Sequence, residues 1–250
     1  MSVENQRVLV TGGAHGIGLA TAKLFQERGA EVAIWALHEE SIVEAKDTLG
    51  ADVFGQAVDV GDLGAVDAAR RQLRERFGPV DILVNNAGYT LTSHFLDEQP
   101  GYWERVVATN LWGVVYTTQV FLPDMLAQEA GAIVNVVSDA GRVGMQGEAL
   151  YAAAKGGVIA FSKSIAQEVA KRGVRVNCVS PGPTRTRILE ENSEHGDASK
   201  LIEAMVKRIP MRKIAEPEEI AEAIVFFGSP AASHVTGQVL SVSGGLTMVD

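Results

Sequence analysis

The run Val8-Leu9-Val10-Thr11-Gly12-Gly13-Ala14-His15-Gly16-Ile17-Gly18 decides the fold class of this 250-residue chain. Its apolar start predicts a buried strand, its glycines predict a tight turn, and apolar residues at helical spacing predict a helix from Ile17 to Arg28. Glycine lets backbone approach a ligand closely, and a helix N-terminus offers free N–H groups to a phosphate. A strand-to-helix turn without a ligand would give a similar run, and the glycine spacing differs from G-x-G-x-x-G.

The same alternation of strand and helix continues along the chain. Further strands are predicted at 32–35, 52–58, 82–84, 132–137, 174–179 and 238–242, and helices at 39–49, 62–77, 101–110, 112–130, 151–172 and 217–227. Apolar strands that alternate with helices predict a parallel sheet covered on both faces, and right-handed crossovers make it doubly wound. We therefore expect one α/β, Rossmann-type domain over 1–250 with about seven strands. A polar excursion at about 184–210 is expected to act as a substrate lid.

Charge and composition exclude several classes of protein. The chain carries 22 Lys and Arg against 31 Asp and Glu, a formal charge of −9, which argues against nucleic acid or an anionic membrane as the main partner. No apolar stretch approaches the roughly 18 residues of a membrane span. The single cysteine, Cys178, cannot form an internal disulfide, and the first residues lack the layout of a signal peptide. We expect a cytoplasmic protein.

The segment Tyr151-Ala152-Ala153-Ala154-Lys155 carries the second chemical signal. Residues four apart lie on one face of a helix, so the phenol and the ammonium can address the same point. A tyrosine with a pKa of about 10 is a poor base at neutral pH, and a nearby cation favours its anionic form. By itself the pair is also typical of a helix surface.

Five motifs together identify the chain as resembling the short-chain dehydrogenase/reductase family in its classical form, over essentially its whole length. The first run matches T-G-x-x-x-G-x-G, and Asn85-Asn86-Ala87-Gly88 matches N-N-A-G. Asn110, then Ser138 with the Tyr151/Lys155 pair, match the catalytic residues, and Pro181-Gly182 matches the family's P-G after the sixth strand. The resemblance implies an NAD(P)-dependent oxidoreductase that interconverts a secondary alcohol and a ketone.

The resemblance assigns roles to four catalytic residues. Ser138 would hold the substrate oxygen, and Tyr151 would exchange a proton with it as general acid or base. Lys155 would lower the pKa of Tyr151 and hold the nicotinamide ribose, and Asn110 would help hold a water on the proton path. Hydride transfer between substrate and nicotinamide needs no metal, and the sequence shows no His/Cys cluster with ligand spacing.

The resemblance likewise predicts the residues that bind the cofactor, NAD or NADP. The pyrophosphate, adenine, ribose and carboxamide contacts are expected from Gly12, His15, Gly16, Ile17, Gly18, Ala36, Leu37, Asp59, Val60, Asn86, Ala87, Gly88, Tyr151, Lys155, Pro181, Gly182, Thr184 and Thr186. Thr184 stands where the family usually has an aliphatic residue, so altered contacts are expected there.

Ala36 is the most informative departure from the family pattern. NAD-preferring relatives place an aspartate at the end of the second strand, where it binds the ribose 2′-OH. Its loss removes an acceptor for NAD and a repulsion toward a 2′-phosphate, yet no Arg or Lys follows nearby. His15 and His38 are the candidates for that phosphate, although each is also typical of a polar surface. The sequence leaves the choice of cofactor open.

The substrate is expected to be a small-molecule alcohol or ketone. Its pocket is predicted to contain Arg142, Val143 and Met145, Glu148 and Leu150, 89–94 and 184–210. Arg142, Arg185 and Arg187 would suit an anionic substrate group, or they are solvated surface charges or ion pairs. The last strand resembles the family's subunit-contact edge, which implies a homotetramer or a homodimer.

Two alternative functions stay open within this fold. One is a 3-oxoacyl thioester reductase of the fatty-acid type, and the other is a dinucleotide-binding sensor without catalysis. A serine hydrolase is set aside, because Ser138 lacks the G-x-S-x-G nucleophile elbow.

Overall fold

A parallel sheet organises the chain, which the computed structural model describes over residues 2–186 and 198–249. Its strands are β1 (Arg7–Thr11), β2 (Glu31–Ala36), β3 (Phe54–Ala57), β4 (Ile82–Asn85), β5 (Gly131–Val136), β6 (Val174–Pro181) and β7 (Val239–Val242). They lie in the order β3-β2-β1-β4-β5-β6-β7. The strand order reverses between β1 and β4, which is where doubly wound sheets bind ligands. The predicted Rossmann-type fold is confirmed.

Helices cover both faces of this sheet. They are α1 (Gly16–Glu27), α2 (Glu39–Leu49), α3 (Leu63–Arg76), α4 (Pro100–Val107), α5 (Gly113–Gln128), α6 (Ala140–Val143), α7 (Ala149–Val169), α8 (Ala198–Arg208) and α9 (Pro217–Gly228). Of the predicted lid, 187–197 lies outside the described residues, and α8 forms much of the rest. In the described ranges, no helix is long and apolar enough to cross a bilayer.

Neighbouring residues of β1 enter different hydrophobic cores. Val8 and Val10 pack on one face with Phe25 of α1 and Ile220 of α9. Leu9 packs on the other face, in the core that contains residues of α3 and α5. All of these side chains are fully buried, and burial of each large aliphatic side chain contributes about 1.5–3 kcal/mol. Burial on both faces explains why the strand is a continuous apolar run rather than an alternating one.

The two helices predicted at 101–110 and 112–130 form one helical run instead. A π-helical turn over Ala108–Trp112 joins α4 to α5 without a break. The Asn110 side-chain amide donates to the Val106 carbonyl at 2.9 Å, which is the acceptor four residues back along the helix. A side chain that takes this carbonyl disturbs the regular backbone ladder, and the wider turn accommodates it.

Candidate active site

A cavity of about 1640 Å³ lies at the carboxyl ends of the central strands. It brings together most of the residues that the sequence predicts for the site: Gly12, His15, Gly16, Ile17, Ala36, Leu37, Asp59, Val60, Asn86, Ala87, Gly88, Ser138, Tyr151, Lys155, Pro181, Gly182, Thr184 and Thr186. One end is formed around β2 and the start of α1, and we call it the cofactor end. The other lies beyond Tyr151 around α6, α7 and α8, and we call it the substrate end.

The glycine-rich turn at the cofactor end is held by hydrogen bonds from the segment after β4. The Asn86 side-chain amide donates to the carbonyls of Thr11 and Gly12, both at 3.1 Å. The Thr11 hydroxyl accepts from the backbone N–H groups of Asn86 and Ala87 at 3.1 and 3.2 Å. Asn86 therefore shapes the turn as well as lining the cavity.

Backbone rather than side chain forms the wall of this turn. Gly12 and Gly16 have φ of +62° and +50°, in the left-handed region where glycine is favoured. His15 precedes α1 in extended conformation and makes no side-chain cap, so the first N–H groups of the helix have no cap from this residue. A bare backbone turn at a helix N-terminus beside a long cavity fits a dinucleotide pyrophosphate.

Gly18 differs from the other glycines predicted to bind the cofactor, because it does not line the cavity. A Cβ atom on Gly18 would lie 2.1 Å from the Gly12 carbonyl oxygen and 2.5 Å from Nδ2 of Asn86. Gly18 thus allows α1 to pack against the back of the turn. Its predicted contribution to cofactor binding would therefore be indirect.

Asn110 is also outside the cavity lining, and it is fully buried. Its amide donates to the Tyr89 carbonyl at 2.6 Å, and its carbonyl accepts from the Tyr89 N–H at 3.3 Å. A Cβ on Gly88 would lie 3.1 Å from Oδ1 of Asn110. The described contacts of Asn110 therefore position the Gly88–Tyr89 backbone, and its predicted role in holding a water stays a prediction.

Tyr151 and Lys155 lie one turn apart on α7, as the sequence predicts. The Lys155 ammonium lies 5.7 Å from the centre of the Tyr151 ring and donates to the Val136 carbonyl at 2.9 Å. Burial lowers the pKa of Lys155 to about 8. Both side chains face the cavity, and the ammonium is anchored to the end of β5.

The surroundings of the Tyr151 phenol favour its protonated form. Burial raises its pKa well above the ordinary value, the nearby Glu148 carboxylate raises it further, and a hydrogen bond with the Ser138 side chain lowers it. The lowering of this pKa by Lys155 stays a prediction. A protonated phenol beside a serine hydroxyl can donate a proton to a carbonyl oxygen.

Asp139 fixes the segment that carries Ser138. Its buried carboxylate accepts hydrogen bonds from the Ser180 and Ser241 hydroxyls, each at 2.8 Å, and its N–H donates to the Pro181 carbonyl at 3.3 Å. These contacts tie the end of β5 to β6 and β7. Sequence reasoning missed this role, because all three partners are distant from Asp139 in the chain.

The cofactor end near β2 has a short apolar wall. Ala36 is buried, Leu37 is half exposed, and both line the cavity with His38. His15 lines the same end. The described geometry thus places both histidines on this wall and leaves the choice between NAD and NADP open.

The arginines considered for an anionic substrate group have other partners. Arg142 donates to the Val249 carbonyl at 2.6 Å, and Arg185 forms an ion pair with Glu216 at 3.1 Å. Neither lines the cavity, and neither does Leu150. Arg187 lies outside the described residues.

The cavity also contains residues that sequence reasoning missed. They are contributed by the start of α2, the start of α3, α4 and the segment after β7, and include Ser41, Asp62, Gly101, Glu104, Arg105, Leu246 and Thr247. No sequence motif marks them, because only the packing of distant segments brings them to the cavity. Within residues 2–186 and 198–249, no three His, Cys, Asp or Glu side chains cluster as metal ligands.

Comparison with known proteins finds a matching family and similar proteins that cover nearly the whole chain. The family described as enoyl-(acyl carrier protein) reductase matches residues 12–247. Proteins named 3-oxoacyl-(acyl-carrier-protein) reductase are similar: that of Vibrio harveyi is 39% identical with 100% of each chain covered, and that of Chlamydia pneumoniae is 38% identical with 99% of each covered.

Solved structures agree with these relatives. A short-chain dehydrogenase/reductase family protein superposes with a TM-score of 0.87 at 36% identity, over 98% of each chain. Levodione reductase superposes with a TM-score of 0.93 at 29% identity, over 97% of each chain. With its glycine turn and its Ser138–Tyr151–Lys155 arrangement in one cavity, the chain belongs to the short-chain dehydrogenase/reductase family of NAD(P)-dependent oxidoreductases.

Proposed function

We propose that this protein reduces the ketone of a 3-oxoacyl thioester to a secondary alcohol with a reduced nicotinamide dinucleotide. The names of the relatives that match over full length favour this substrate over the general alcohol dehydrogenase or carbonyl reductase that the sequence motifs suggest. The single observation that carries the proposal is the Tyr151 phenol hydrogen-bonded to the Ser138 side chain, inside the cavity that Lys155 also lines.

In this reaction the protein side chains position the ketone and supply a proton. Ser138 donates a hydrogen bond to the ketone oxygen and places it beside the Tyr151 hydroxyl. When bound, the reduced nicotinamide supplies the hydride that adds to the ketone carbon. The O–H bond of Tyr151 breaks as its proton passes to the oxygen, and one proton from solvent restores the phenol.

Lys155 assists the proton transfer from Tyr151 through the charge and the fixed position of its ammonium group. Its bond to the Val136 carbonyl holds the ammonium at the junction of the cofactor and substrate ends. From there it can bind ribose hydroxyls, and its charge stabilises the phenolate that forms when the proton leaves.

The size and lining of the cavity support a substrate larger than a simple ketone. Its volume of about 1640 Å³ exceeds the roughly 300–1,000 Å³ of an ordinary small-molecule pocket, which leaves space beside a dinucleotide. Val143, Met145, Met205 and Leu246 provide apolar surface at the substrate end. An acyl chain fits such a surface.

The test is turnover of an acetoacetyl thioester with NADPH or NADH, measured from the loss of reduced-cofactor absorbance. We expect Tyr151→Phe to lower kcat by about 10²- to 10⁴-fold and to leave cofactor binding intact. Tyr116→Phe is the matched control, because Tyr116 stacks on Trp112 and does not line the cavity. It should keep the wild-type rate.

Each other outcome has a definite meaning. An unchanged rate in Tyr151→Phe would overturn the mechanism. Reduction of a simple cyclic ketone without reduction of the thioester would leave a general carbonyl reductase. Cofactor binding without turnover of either compound would favour the sensor function.

Assembly and location remain proposals that follow the family. The outer strand β7 is half exposed, and its Leu240 side chain is 40% exposed, which supports a homotetramer or homodimer formed at this edge. Sedimentation equilibrium measures the state directly. A cytoplasmic location stays a prediction of the sequence.

A further inference from the structure

The short helix α6 and the long helix α7 meet backbone to backbone next to Lys155. A Cβ atom on Gly141 of α6 would lie 2.7 Å from the Gly156 nitrogen and 2.8 Å from the Lys155 carbonyl carbon. A Cβ atom on Gly156 of α7 would in turn lie 3.0 Å from the Gly141 carbonyl oxygen. The two backbones are in direct contact, so a side chain at Gly141 would have to push them apart.

The space at this contact demands glycine, whereas the cavity and the backbone conformation do not. Neither Gly141 nor Gly156 lines the cavity, unlike most of the residues predicted to bind the cofactor. The backbone of Gly141 is outside the left-handed region, so an alanine can adopt its conformation. Any effect of the contact on the reaction must therefore pass through neighbouring residues.

Ser138 is tied to Gly141 on the α6 side of the contact. Its carbonyl accepts the Gly141 N–H at 2.9 Å, and its hydroxyl oxygen accepts the Ala140 N–H at 3.2 Å. Because these bonds span only three residues, a shift of Gly141 moves the Ser138 hydroxyl with it.

Tyr151 and Lys155 are tied to the same contact on the α7 side. Gly156 directly follows Lys155 in the chain, and Tyr151 lies one turn before Lys155 on the helix. The Lys155 ammonium also donates to the Val136 carbonyl at 2.9 Å, which anchors this part of α7 to the end of β5. The approach of α6 to α7 thus sets how far Ser138 lies from Tyr151.

The Asp139 carboxylate limits how far α6 can yield. Asp139 immediately precedes α6, is 4% exposed, and accepts hydrogen bonds from the Ser180 and Ser241 hydroxyls at 2.8 Å. These bonds fasten the start of the short helix to β6 and β7. A Cβ atom at Gly141 would therefore displace the segment that carries Ser138 rather than a freely moving helix.

We propose that Gly141 is a positioning residue, whose missing side chain lets α6 pack on the backbone of α7 and places the Ser138 hydroxyl within reach of Tyr151. Gly141 touches neither substrate nor cofactor and acts through Ser138. The proposal rests on the proposed function, in which Ser138 binds the ketone oxygen and Tyr151 supplies the proton. A misplacement of about 1 Å can lower the rate of an enzyme by about 10²-fold.

The first test is the kcat of ketone reduction in alanine variants on the two sides of the contact. Gly141→Ala should lower kcat by about 10²-fold and change the dissociation constant of the reduced cofactor by less than about twofold. Gly156→Ala makes the milder approach, so its loss of kcat should be smaller. Gly157→Ala is the matched control, because its Cβ would meet the flexible end of Leu111 at 3.3 Å, and it should keep the wild-type rate.

A double-mutant cycle separates the positioning of Ser138 from general damage to the fold. If Gly141 acts through Ser138, Gly141→Ala should lower kcat by less than about threefold in a Ser138→Ala background. Damage that is independent of Ser138 would instead multiply the two losses. Full and independent losses would overturn the proposal, as would an unchanged kcat in Gly141→Ala.

Crystal structures of the wild type and Gly141→Ala give a readout that does not depend on turnover. The distance from the Ser138 hydroxyl oxygen to the Tyr151 hydroxyl oxygen should lengthen by about 1 Å, and an unchanged distance would overturn the proposal. The failure of the proposed function is a separate result. If the wild type does not reduce the acetoacetyl thioester, the same variants can be assayed on a simple cyclic ketone, and the two structures still report the distance.

Discussion

The two ends of the cavity are built in opposite ways. The cofactor end is a backbone surface: Gly12 and Gly16 present main chain, and the Asn86 amide holds the turn from behind. The substrate end is a side-chain surface, on which Val143 is 57% exposed and Met145 is 48% exposed. A backbone surface tolerates few substitutions, whereas exposed side chains can change without disturbing the fold. The difference explains why a motif marks the glycine turn and none marks the apolar side chains of the substrate end.

The largest effect is expected from breaking the backbone surface at Gly18. In Gly18→Ala the new Cβ would approach the Gly12 carbonyl oxygen to 2.1 Å, so the turn or α1 must shift. Overpacking of this kind costs about 1–3 kcal/mol of stability, and dinucleotide binding should weaken at least about tenfold. Urea denaturation and fluorescence titration with NADH measure the two effects.

Gly101→Ala is the matched control for this substitution. Gly101 lies on α4 at the cavity, and a Cβ there meets no atom within 4 Å. Because alanine favours a helix more than glycine does, stability should stay equal or rise. Equal losses in both variants would show that the cofactor end is no tighter than the substrate end.

Lys155 lies where the two ends meet, and its burial predicts a pH dependence of stability. Its pKa is lowered from 10.5 to about 8, so between these values the unfolded chain binds more protons and stability rises with pH. Burial raises the pKa of Cys178 from 9.0 to about 11, which opposes the rise above pH 9. We expect the free energy of unfolding to rise by roughly 1 kcal/mol from about pH 7 to 9.

Urea denaturation across this pH range tests the assignment. Lys155→Met should abolish the rise, and Lys163→Met, at an exposed position of α7, should preserve it. Cys178→Ser should make stability continue to rise above pH 9. A rise that survives Lys155→Met would assign it to another group.

The smallest effect is expected at the wall near Ala36. If His15 and His38 serve the ribose 2′-phosphate, His15→Ala and His38→Ala should each weaken NADPH binding by about two- to fivefold, the range of an exposed charge contact, and leave NADH binding unchanged. Fluorescence titration measures both cofactors. His234→Ala, at an exposed position away from the cavity, is the control. Equal effects on NADH and NADPH would exclude a role in phosphate recognition.

Sequence patterns predicted the sheet well because each strand is a short apolar run between clear turn signals. They were less accurate where a side chain or a turn takes a regular backbone hydrogen bond. The predicted break between 101–110 and 112–130 is a π-helical turn in the structure, since the Asn110 amide takes the Val106 carbonyl. The predicted strand at 52–58 is shortened to Phe54–Ala57, and the Val53 N–H instead donates to the Gly50 carbonyl in a turn.

The residues of the candidate site likewise fall into those that local spacing predicts and those that depend on tertiary contacts. Ser138, Tyr151 and Lys155 could be predicted because their spacing after β5 and along α7 is local. The buried contacts of Asn110 and the packing position of Gly18 could not, because they depend on the approach of Tyr89 and Gly12 from other segments. Arg142 and Arg185 were candidates by sequence alone, and their partners Val249 and Glu216 are distant in the chain.

The sequence by itself determined the alternating α/β fold, the family and the candidate residues for proton transfer, because periodicity and motif spacing are local properties of the chain. Only the tertiary structure decided which charges act on Tyr151, which predicted residues reach the cavity and which are held elsewhere. These outcomes depend on how close segments that are remote in the chain come to each other and on which side chains they bury. Electrostatic coupling and exclusion of water exist only once those segments are packed together.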